Sequence, residues 1–212
     1  MINTKDQEQL FQLISNYLDE DVTCLAIGGT AMMFLNYKTT TKDIDLIFSS
    51  EKDRHIFIKA IEQLGYKEKS IKEIYDKKRL KIKNKPLMFT RGDERFDLFV
   101  NNIFGFELNI NSPNIILRND FVGEKELIIK ILSKEYLILL KSITGREKDF
   151  EDIETILELE KEIDWEVITS EAIKQKKNNE WILIDLEEMM QKLKHKIFIP
   201  SKFFEKLYKA EQ

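Results

Sequence analysis

The chain has 212 residues, of which 42% are hydrophobic and 34% charged, and its formal net charge is −4. This length suits one domain with a helical extension or two small domains, and the acidic balance argues against general binding to nucleic acid. One cysteine excludes an internal disulfide, and with only two histidines a zinc site is not expected, so any metal would be held by carboxylates, which favours magnesium or manganese.

The sequence predicts neither a membrane span nor a signal peptide. No apolar stretch approaches the roughly 18 residues that a spanning helix needs. The first ten residues, MINTKDQEQL, lack the basic segment and the apolar core that begin a signal peptide. We therefore expect a cytoplasmic protein without a membrane partner.

The first third of the chain alternates between helical and strand patterns, and Gly65 ends its last helix. In chain order, the patterns predict a helix over 4–19, a buried strand Thr23–Gly28, a helix Thr30–Leu35, a strand Asp43–Phe48 and an amphipathic helix over 52–64.

A period of two then takes over, with Gly92-Asp93 as a turn. The predicted strands are Arg79–Lys83, Leu87–Thr90, Arg95–Val100, Phe106–Ile110, Asn114–Leu117 and Leu127–Leu132. The helical period returns after Ser133 and predicts helices over Lys134–Ile143, Asp149–Leu159, Val167–Lys176 and Trp181–His195, with a short last one from Ser201. The expected fold is α+β: a mixed sheet of about five strands with helices on one face in residues 1–132, and a helical subdomain in 133–212.

A glycine pair lies where the first strand meets a helix. The first N–H groups of a helix have no intrahelical partner, and Gly28 and Gly29 would let an anion approach the backbone closely. The Thr30 hydroxyl would add a donor. Alone, the pair is explained as well by a tight strand–helix turn, so a functional interpretation needs support from the neighbouring strand.

Two carboxylates stand at the start of that next strand. Asp43 and Asp45 are two positions apart, so on a strand they share one face, where like charges repel. A divalent cation would stabilise both. The alternative is a pair of surface acids held by Lys42 or a neighbouring arginine.

A third carboxylate, Asp97, lies in the apolar run RFDLFV. A lone acid in such a strand needs a partner, and Asp97 would complete a three-acid cluster if its strand lies beside Asp43–Phe48. The alternatives are that Asp97 faces solvent on an edge strand or pairs with Arg95.

Two charged segments have two interpretations each. Lys67–Lys85 has nine basic against three acidic residues, and Glu147–Glu171 has eleven acidic against two basic residues. Both are explained by solvated faces. The basic segment could instead bind an RNA backbone, and the acidic segment a basic partner protein.

The order GGTA, KTTTK and DIDL resembles the nucleotidyltransferase superfamily, and most of all its prokaryotic abortive-infection and toxin–antitoxin branch. The resemblance covers roughly residues 20–160. It implies that Gly28 and Gly29 open a helix under a nucleoside triphosphate and that Asp43, Asp45 and Asp97 are catalytic residues that bind Mg²⁺ or Mn²⁺. For Asp97 the alternative is to take the proton from the attacking hydroxyl. The segment EYLILLKSITGREKDFEDIETIL also resembles that branch, which makes Lys141, Arg146 and Asp149 candidates for the nucleotide or acceptor side. Exposed helix-end cations are the alternative for the first two.

The resemblance therefore implies a metal-dependent transferase that moves a nucleoside monophosphate from a triphosphate to a hydroxyl of an RNA end, such as a tRNA, of a protein or of a small molecule. The alternative is a non-catalytic nucleotide- or protein-binding module of the same fold, such as a toxin–antitoxin component.

Overall fold

The chain divides into two compact units, Met1–Leu132 and Ser133–Gln212, in the computed structural model, which describes residues 1–70 and 85–212. The predicted strand Arg79–Lys83 and most of the basic segment lie outside the described residues. None of the described helices is long and apolar enough to cross a membrane.

The N-terminal unit alternates strands and helices. In chain order its elements are β1 (Ile2–Asn3), α1 (Thr4–Ser15), β2 (Val22–Ala26), α2 (Gly28–Phe34), β3 (Thr40–Thr41), β4 (Asp43–Phe48), α3 (Glu51–Gln63), β5 (Lys67–Lys69), β6 (Leu87–Arg91), β7 (Glu94–Val100), β8 (Asn102–Ile103), β9 (Phe106–Glu107), β10 (Ile115–Val122) and β11 (Glu126–Leu132).

Seven of the described strands form one mixed sheet in the order β10-β11-β2-β4-β7-β6-β5. The pairs β11–β2 and β4–β7 are parallel, and the other neighbours are antiparallel. The predicted α+β class agrees with this architecture, but the sheet is larger than the five strands expected. Strand β5 was not predicted. Its residues, Lys67-Glu68-Lys69, are all charged and exposed and therefore show no apolar alternation.

The strand predicted at Phe106–Ile110 is shorter than expected and lies outside the main sheet. Only Phe106–Glu107 is extended, and it pairs with Asn102–Ile103 as a two-stranded hairpin. The segment Leu127–Leu132, by contrast, belongs entirely to one long strand, β11.

The helices of this unit pack on one face of the sheet through aromatic side chains. The Phe57 ring of α3 lies 5.3 Å from Phe48 of β4 and 5.6 Å from Phe96 of β7, measured between ring centroids. Phe11 of α1 contacts Phe121 of β10 at 5.6 Å and stacks on Phe34 of α2 at 6.0 Å. The side chains on the opposite face of β4 and β7 take no part in these aromatic contacts.

The C-terminal unit contains five helices, all of them in described residues. They are α4 (Lys134–Thr144), α5 (Glu147–Leu159), α6 (Trp165–Gln175), α7 (Ile182–Leu193) and α8 (Ser201–Glu211). Helix α4 is the centre of this unit: it contacts α5, α6 and α7, and its residues from Glu135 to Ser142 are all buried. Gly145 ends α4 in the left-handed conformation at φ +58°.

Candidate nucleotide and cation site

The turn from β2 into α2 brings the glycine pair against two polar side chains. Gly28 has φ +56°, and a Cβ there would lie 2.6 Å from Asp45 Oδ2. A Cβ at Gly29 would lie 2.5 Å from Thr41 Oγ1. Both distances are shorter than ordinary contacts, so a side chain at either position would displace the Asp45 carboxylate or the Thr41 hydroxyl. The turn and the Asp45 carboxylate therefore form one continuous surface.

The acids meet because β4 and β7 are parallel neighbours. Asp45 lies opposite Asp97 in the register, and Asp43 lies opposite Arg95. Neighbouring strands are about 4.8 Å apart, and residues opposite each other point to the same face. Asp43 and Asp45 also share a face, since they are two positions apart on one strand. All three carboxylates therefore lie on one face of the sheet.

This face is the one opposite α3. Side chains alternate along a strand, so Asp43 and Asp45 point away from the side on which Phe48 contacts α3. Strand β7 lies between β4 and β6, and Asp97 has only 2% of its surface exposed. Solvent exposure of Asp97 on an edge strand is therefore excluded. Its other alternative, a pair with Arg95, is present.

The Arg95 guanidinium bridges two of the three acids. Its Nη2 lies 2.6 Å from Asp43 Oδ2 and donates to Asp97 Oδ2 at 3.1 Å, while Nε lies 3.0 Å from Asp97 Oδ1. The side chains of Arg95 and Asp43 are 23% and 29% exposed, but that of Asp97 is 3% exposed. Asp97 is thus buried with a compensating charge beside it. The sequence offered Arg95 as an alternative partner of Asp97 and a neighbouring arginine as an alternative partner of Asp43, and the structure shows both contacts made by Arg95.

Two threonine hydroxyls fix the start of β4. The Thr30 hydroxyl is fully buried and accepts a hydrogen bond from the Asp45 N–H at 2.9 Å. The Thr41 hydroxyl donates to the Asp43 carbonyl at 3.1 Å. The Ile27 N–H donates to the Asp45 carbonyl at 3.1 Å. Thr30 therefore holds the backbone at the start of β4, and the donor role towards an anion that the sequence suggested stays a prediction.

The donor set of this cluster fits a hard divalent cation. Three carboxylates from adjacent strands supply the oxygen ligands that Mg²⁺ and Mn²⁺ prefer, and the missing Cβ of Gly28 leaves space at Asp45. Within residues 1–70 and 85–212, however, no group of three or more acidic, histidine or cysteine side chains is already gathered as a metal site. Since Arg95 bridges Asp43 and Asp97, a cation bound by all three acids requires the guanidinium to move.

Lys141 and Arg146 lie in the C-terminal unit, where both pair with acids of α5. Lys141 is 6% exposed, and its Nζ donates to Asp152 Oδ2 at 2.6 Å and lies 3.6 Å from Asp149 Oδ1. Arg146 Nε donates to Asp149 Oδ2 at 2.5 Å. Lys141 is thus a buried ion-pair partner and not an exposed helix-end cation, whereas the Arg146 side chain is 52% exposed.

Asp149 is the acid that both cations share. Burial raises the pKa of its carboxyl, but hydrogen bonds from Arg146 and Thr144 and the charge of Lys141 outweigh burial, so its pKa lies below the ordinary value. Asp149 therefore stays ionised, which keeps the ends of α4 and α5 joined.

A small cavity of about 60 Å³ adjoins this network inside the C-terminal unit. Lys141 and Arg146 line it, as do Asp185, Glu188 and Lys192 of α7. Burial, together with the charge of Glu188, raises the pKa of Asp185 to about 6. Asp185 had not been singled out from the sequence, because one acid on an amphipathic helix gives no signal of its surroundings.

Comparison with known proteins gives a limited result. The sequence matches no protein-family model and no curated protein. Among solved structures, the chain is similar to the solution structure of the antibiotic-resistance factor ANT(2'')-Ia, with a TM-score of 0.47, 14% identity, and coverage of 92% of this chain and 97% of that chain. A likeness of this strength does not assign the chain to a family.

Proposed function

We propose that the protein is a metal-dependent nucleotidyltransferase that moves a nucleoside monophosphate from a triphosphate to a hydroxyl acceptor. The observation that carries this proposal is the register of β4 and β7, which brings Asp45 opposite Asp97 and both onto the face of Asp43. The Gly28–Gly29 turn borders the same cluster. Together they support a cation site next to a backbone that an anion can approach.

Asp43, Asp45 and Asp97 are assigned as ligands of Mg²⁺ or Mn²⁺. A divalent cation there would neutralise negative charge that develops on the phosphates during transfer. The near-complete burial of Asp97 favours a ligand role over that of proton acceptor, since the hydroxyl of an acceptor must reach a proton acceptor directly or through water.

The glycine turn is assigned to the phosphates. The N–H groups of Gly28 and Gly29 begin α2, have no intrahelical partner and belong to half-buried residues, so we assign them to phosphate oxygens. Thr30 is buried, and we assign it to holding the Asp45 backbone beside them. Lys141 and Arg146 are assigned to the nucleotide or acceptor side, supported by the resemblance of their segment.

In the transfer itself, the acceptor oxygen forms a bond to the α-phosphorus of the triphosphate. The bond from that phosphorus to the bridging oxygen of the β-phosphate breaks, pyrophosphate leaves, and the hydroxyl proton passes to water or a nearby base. The proposed acceptor is a hydroxyl of an RNA end (for example that of a tRNA), of a protein, or of a small molecule. The basic segment Lys67–Lys85 favours RNA.

The second candidate is a non-catalytic module that binds nucleotide or a partner protein, for example as a toxin–antitoxin component. The observation that favours it is the ion pairing of Arg95 with Asp43 and Asp97, since two of the proposed ligands already have a cationic partner. The acidic segment Glu147–Glu171 would then offer a surface to a basic protein.

Calorimetric titration with each of the four nucleoside triphosphates, with and without Mg²⁺, tests the site. We expect Mg²⁺-dependent binding of at least one of them, and its loss in an Asp43→Asn/Asp45→Asn variant. A control variant, Asp93→Asn/Asp120→Asn, removes two exposed acids and should bind as the wild type does. Equal binding by wild type and the first variant would refute the site.

Transfer from an α-³²P-labelled triphosphate separates the two candidates. Label that passes to RNA or protein in the wild type, but not in the Asp43→Asn/Asp45→Asn variant, supports the transferase. Tight binding without any transfer of label, to either macromolecule or to a small molecule resolved by chromatography, favours the binding module.

A further inference from the structure

Arg95 differs from the three acids of the cluster because its charge is positive, like that of the expected cation. Its guanidinium lies 2.6 Å from Asp43 Oδ2 and 3.0 Å from Asp97 Oδ1, which are two of the three proposed ligands. A guanidinium matches carboxylate geometry closely and is always charged. In the metal-free protein it therefore pairs with two of the carboxylates that a divalent cation would use.

We infer that Arg95 is a built-in competitor of the divalent cation, whose guanidinium must leave Asp43 and Asp97 before the cation binds to them. This inference rests on the proposed function, which makes those acids the cation ligands. It gives Arg95 a positioning role that the sequence motif does not contain. The position of the Arg95 guanidinium determines whether the carboxylates of Asp43 and Asp97 are available to a cation.

The charge of the cluster explains why the protein without a cation is stabilised by the Arg95 guanidinium. Asp43, Asp45 and Asp97 place three negative charges on neighbouring positions of two strands, and Asp97 is almost wholly withdrawn from water. Without a cation this arrangement would be destabilised by repulsion and desolvation. With Arg95 present, the net charge of the four side chains falls from −3 to −2, and the buried acid has a partner.

The position of Arg95 also allows it to leave. Its side chain keeps 23% of its surface exposed, whereas that of Asp97 keeps 3%. The guanidinium can therefore move towards solvent while Asp97 stays in place. A triphosphate offers the displaced guanidinium new anionic partners, so cation alone is expected to bind weakly and nucleotide to favour the exchange.

The test measures Mn²⁺ alone, without nucleotide, from the electron paramagnetic resonance signal of free Mn²⁺. We expect Arg95→Met to bind Mn²⁺ at least tenfold more tightly than the wild type, because it removes both the competitor and a positive charge a few ångströms from the cation. The matched control is Arg118→Met, which removes an arginine that pairs with Asp120 and Glu126 on the edge strand. It should leave Mn²⁺ affinity unchanged.

Thermal unfolding gives a second readout. Without metal, Arg95→Met should unfold at a lower temperature than Arg118→Met, and Mn²⁺ should raise its midpoint by more than it raises that of the wild type. If Arg95→Met and Arg95→Gln are both unfolded, addition of Mn²⁺ should restore their folding, since the cation replaces the guanidinium. Failure of Mn²⁺ to do so would overturn the inference.

The outcomes separate this inference from the proposed function. If Arg95→Met is folded and binds Mn²⁺ no more tightly than the wild type, the competitor role is wrong, even where nucleotide binding depends on Asp43 and Asp45. If it binds Mn²⁺ tightly but no triphosphate binds to the wild type, the competition stands and the transferase proposal fails.

Discussion

Replacement of Gly28 by alanine tests whether the glycine turn serves the Asp45 carboxylate. Gly28 has φ +56°, and its added Cβ would lie 2.6 Å from Asp45 Oδ2. Gly92 is the matched control, because it has φ +58° and a Cβ there would meet nothing within 4 Å. The two variants share the backbone strain and differ in the contact with the acid.

The structure gives the expected size of each effect. An alanine in the left-handed region costs roughly 1–2 kcal/mol, and this applies to both variants. At position 28 the Asp45 side chain must also leave its rotamer, which costs about 0.5–1.5 kcal/mol more. We therefore expect Gly28→Ala to lower the free energy of unfolding by about 1.5–3.5 kcal/mol and Gly92→Ala by about 1–2 kcal/mol.

Urea unfolding measures the stability of both variants, and calorimetry measures their affinity for Mg²⁺ with a triphosphate. Gly28→Ala should weaken binding by at least tenfold because the Asp45 carboxylate is displaced, whereas Gly92→Ala should bind as the wild type does. If the two variants lose equal stability and bind equally well, the contact between the turn and Asp45 has no role, and the reasoning is refuted.

Three further substitutions test the surroundings. Thr30→Val leaves the buried N–H of Asp45 without its acceptor and should cost about 1–3 kcal/mol of unfolding free energy in urea, with recovery in Thr30→Ser. Lys141→Met removes the cation that two carboxylates share and should cost about 3–5 kcal/mol, whereas Lys174→Met, at a side chain 71% exposed, should change stability by less than about 0.5 kcal/mol. The raised pKa of Asp185 means that its ionisation opposes folding, so between about pH 4 and 6 this group removes stability as pH rises. Asp185→Asn should therefore stabilise the protein at pH 7 by about 1–2 kcal/mol after allowance for solvent screening, and by almost nothing at pH 4, in urea titrations at both pH values.

The local elements around the site were predictable because each depends on a short run of consecutive residues. The strand Asp43–Phe48 was predicted with the bounds that the structure gives, since two acids precede an unbroken apolar run. The glycine pair marked the end of a buried strand. The helix after it begins at Gly28, two residues before the predicted Thr30, a difference within the first turn.

Long-range pairing was not predictable in the same way. That β7 lies beside β4, and in parallel, depends on packing between segments about fifty residues apart, so the sequence left Asp97 with three alternatives. The contact between Arg95 and Asp43 follows only from that register. For Lys141 the sequence left a surface cation as one alternative, because its acidic partners lie on the next helix and their distance depends on how α4 and α5 pack.

The parallel pairing of β4 and β7 also has a consequence for how the protein acquires its site during folding. Asp45 and Asp97 are 52 positions apart, and the length-dependent entropy of closing such a loop is about 3–4 kcal/mol. A parallel pair with this separation forms slowly compared with helices and hairpins. A chain still being synthesised cannot complete the acidic cluster until β7 has emerged from the ribosome and joined the sheet. Ligand binding in a refolding experiment would therefore appear with the late kinetic phase, after most helical signal has already returned.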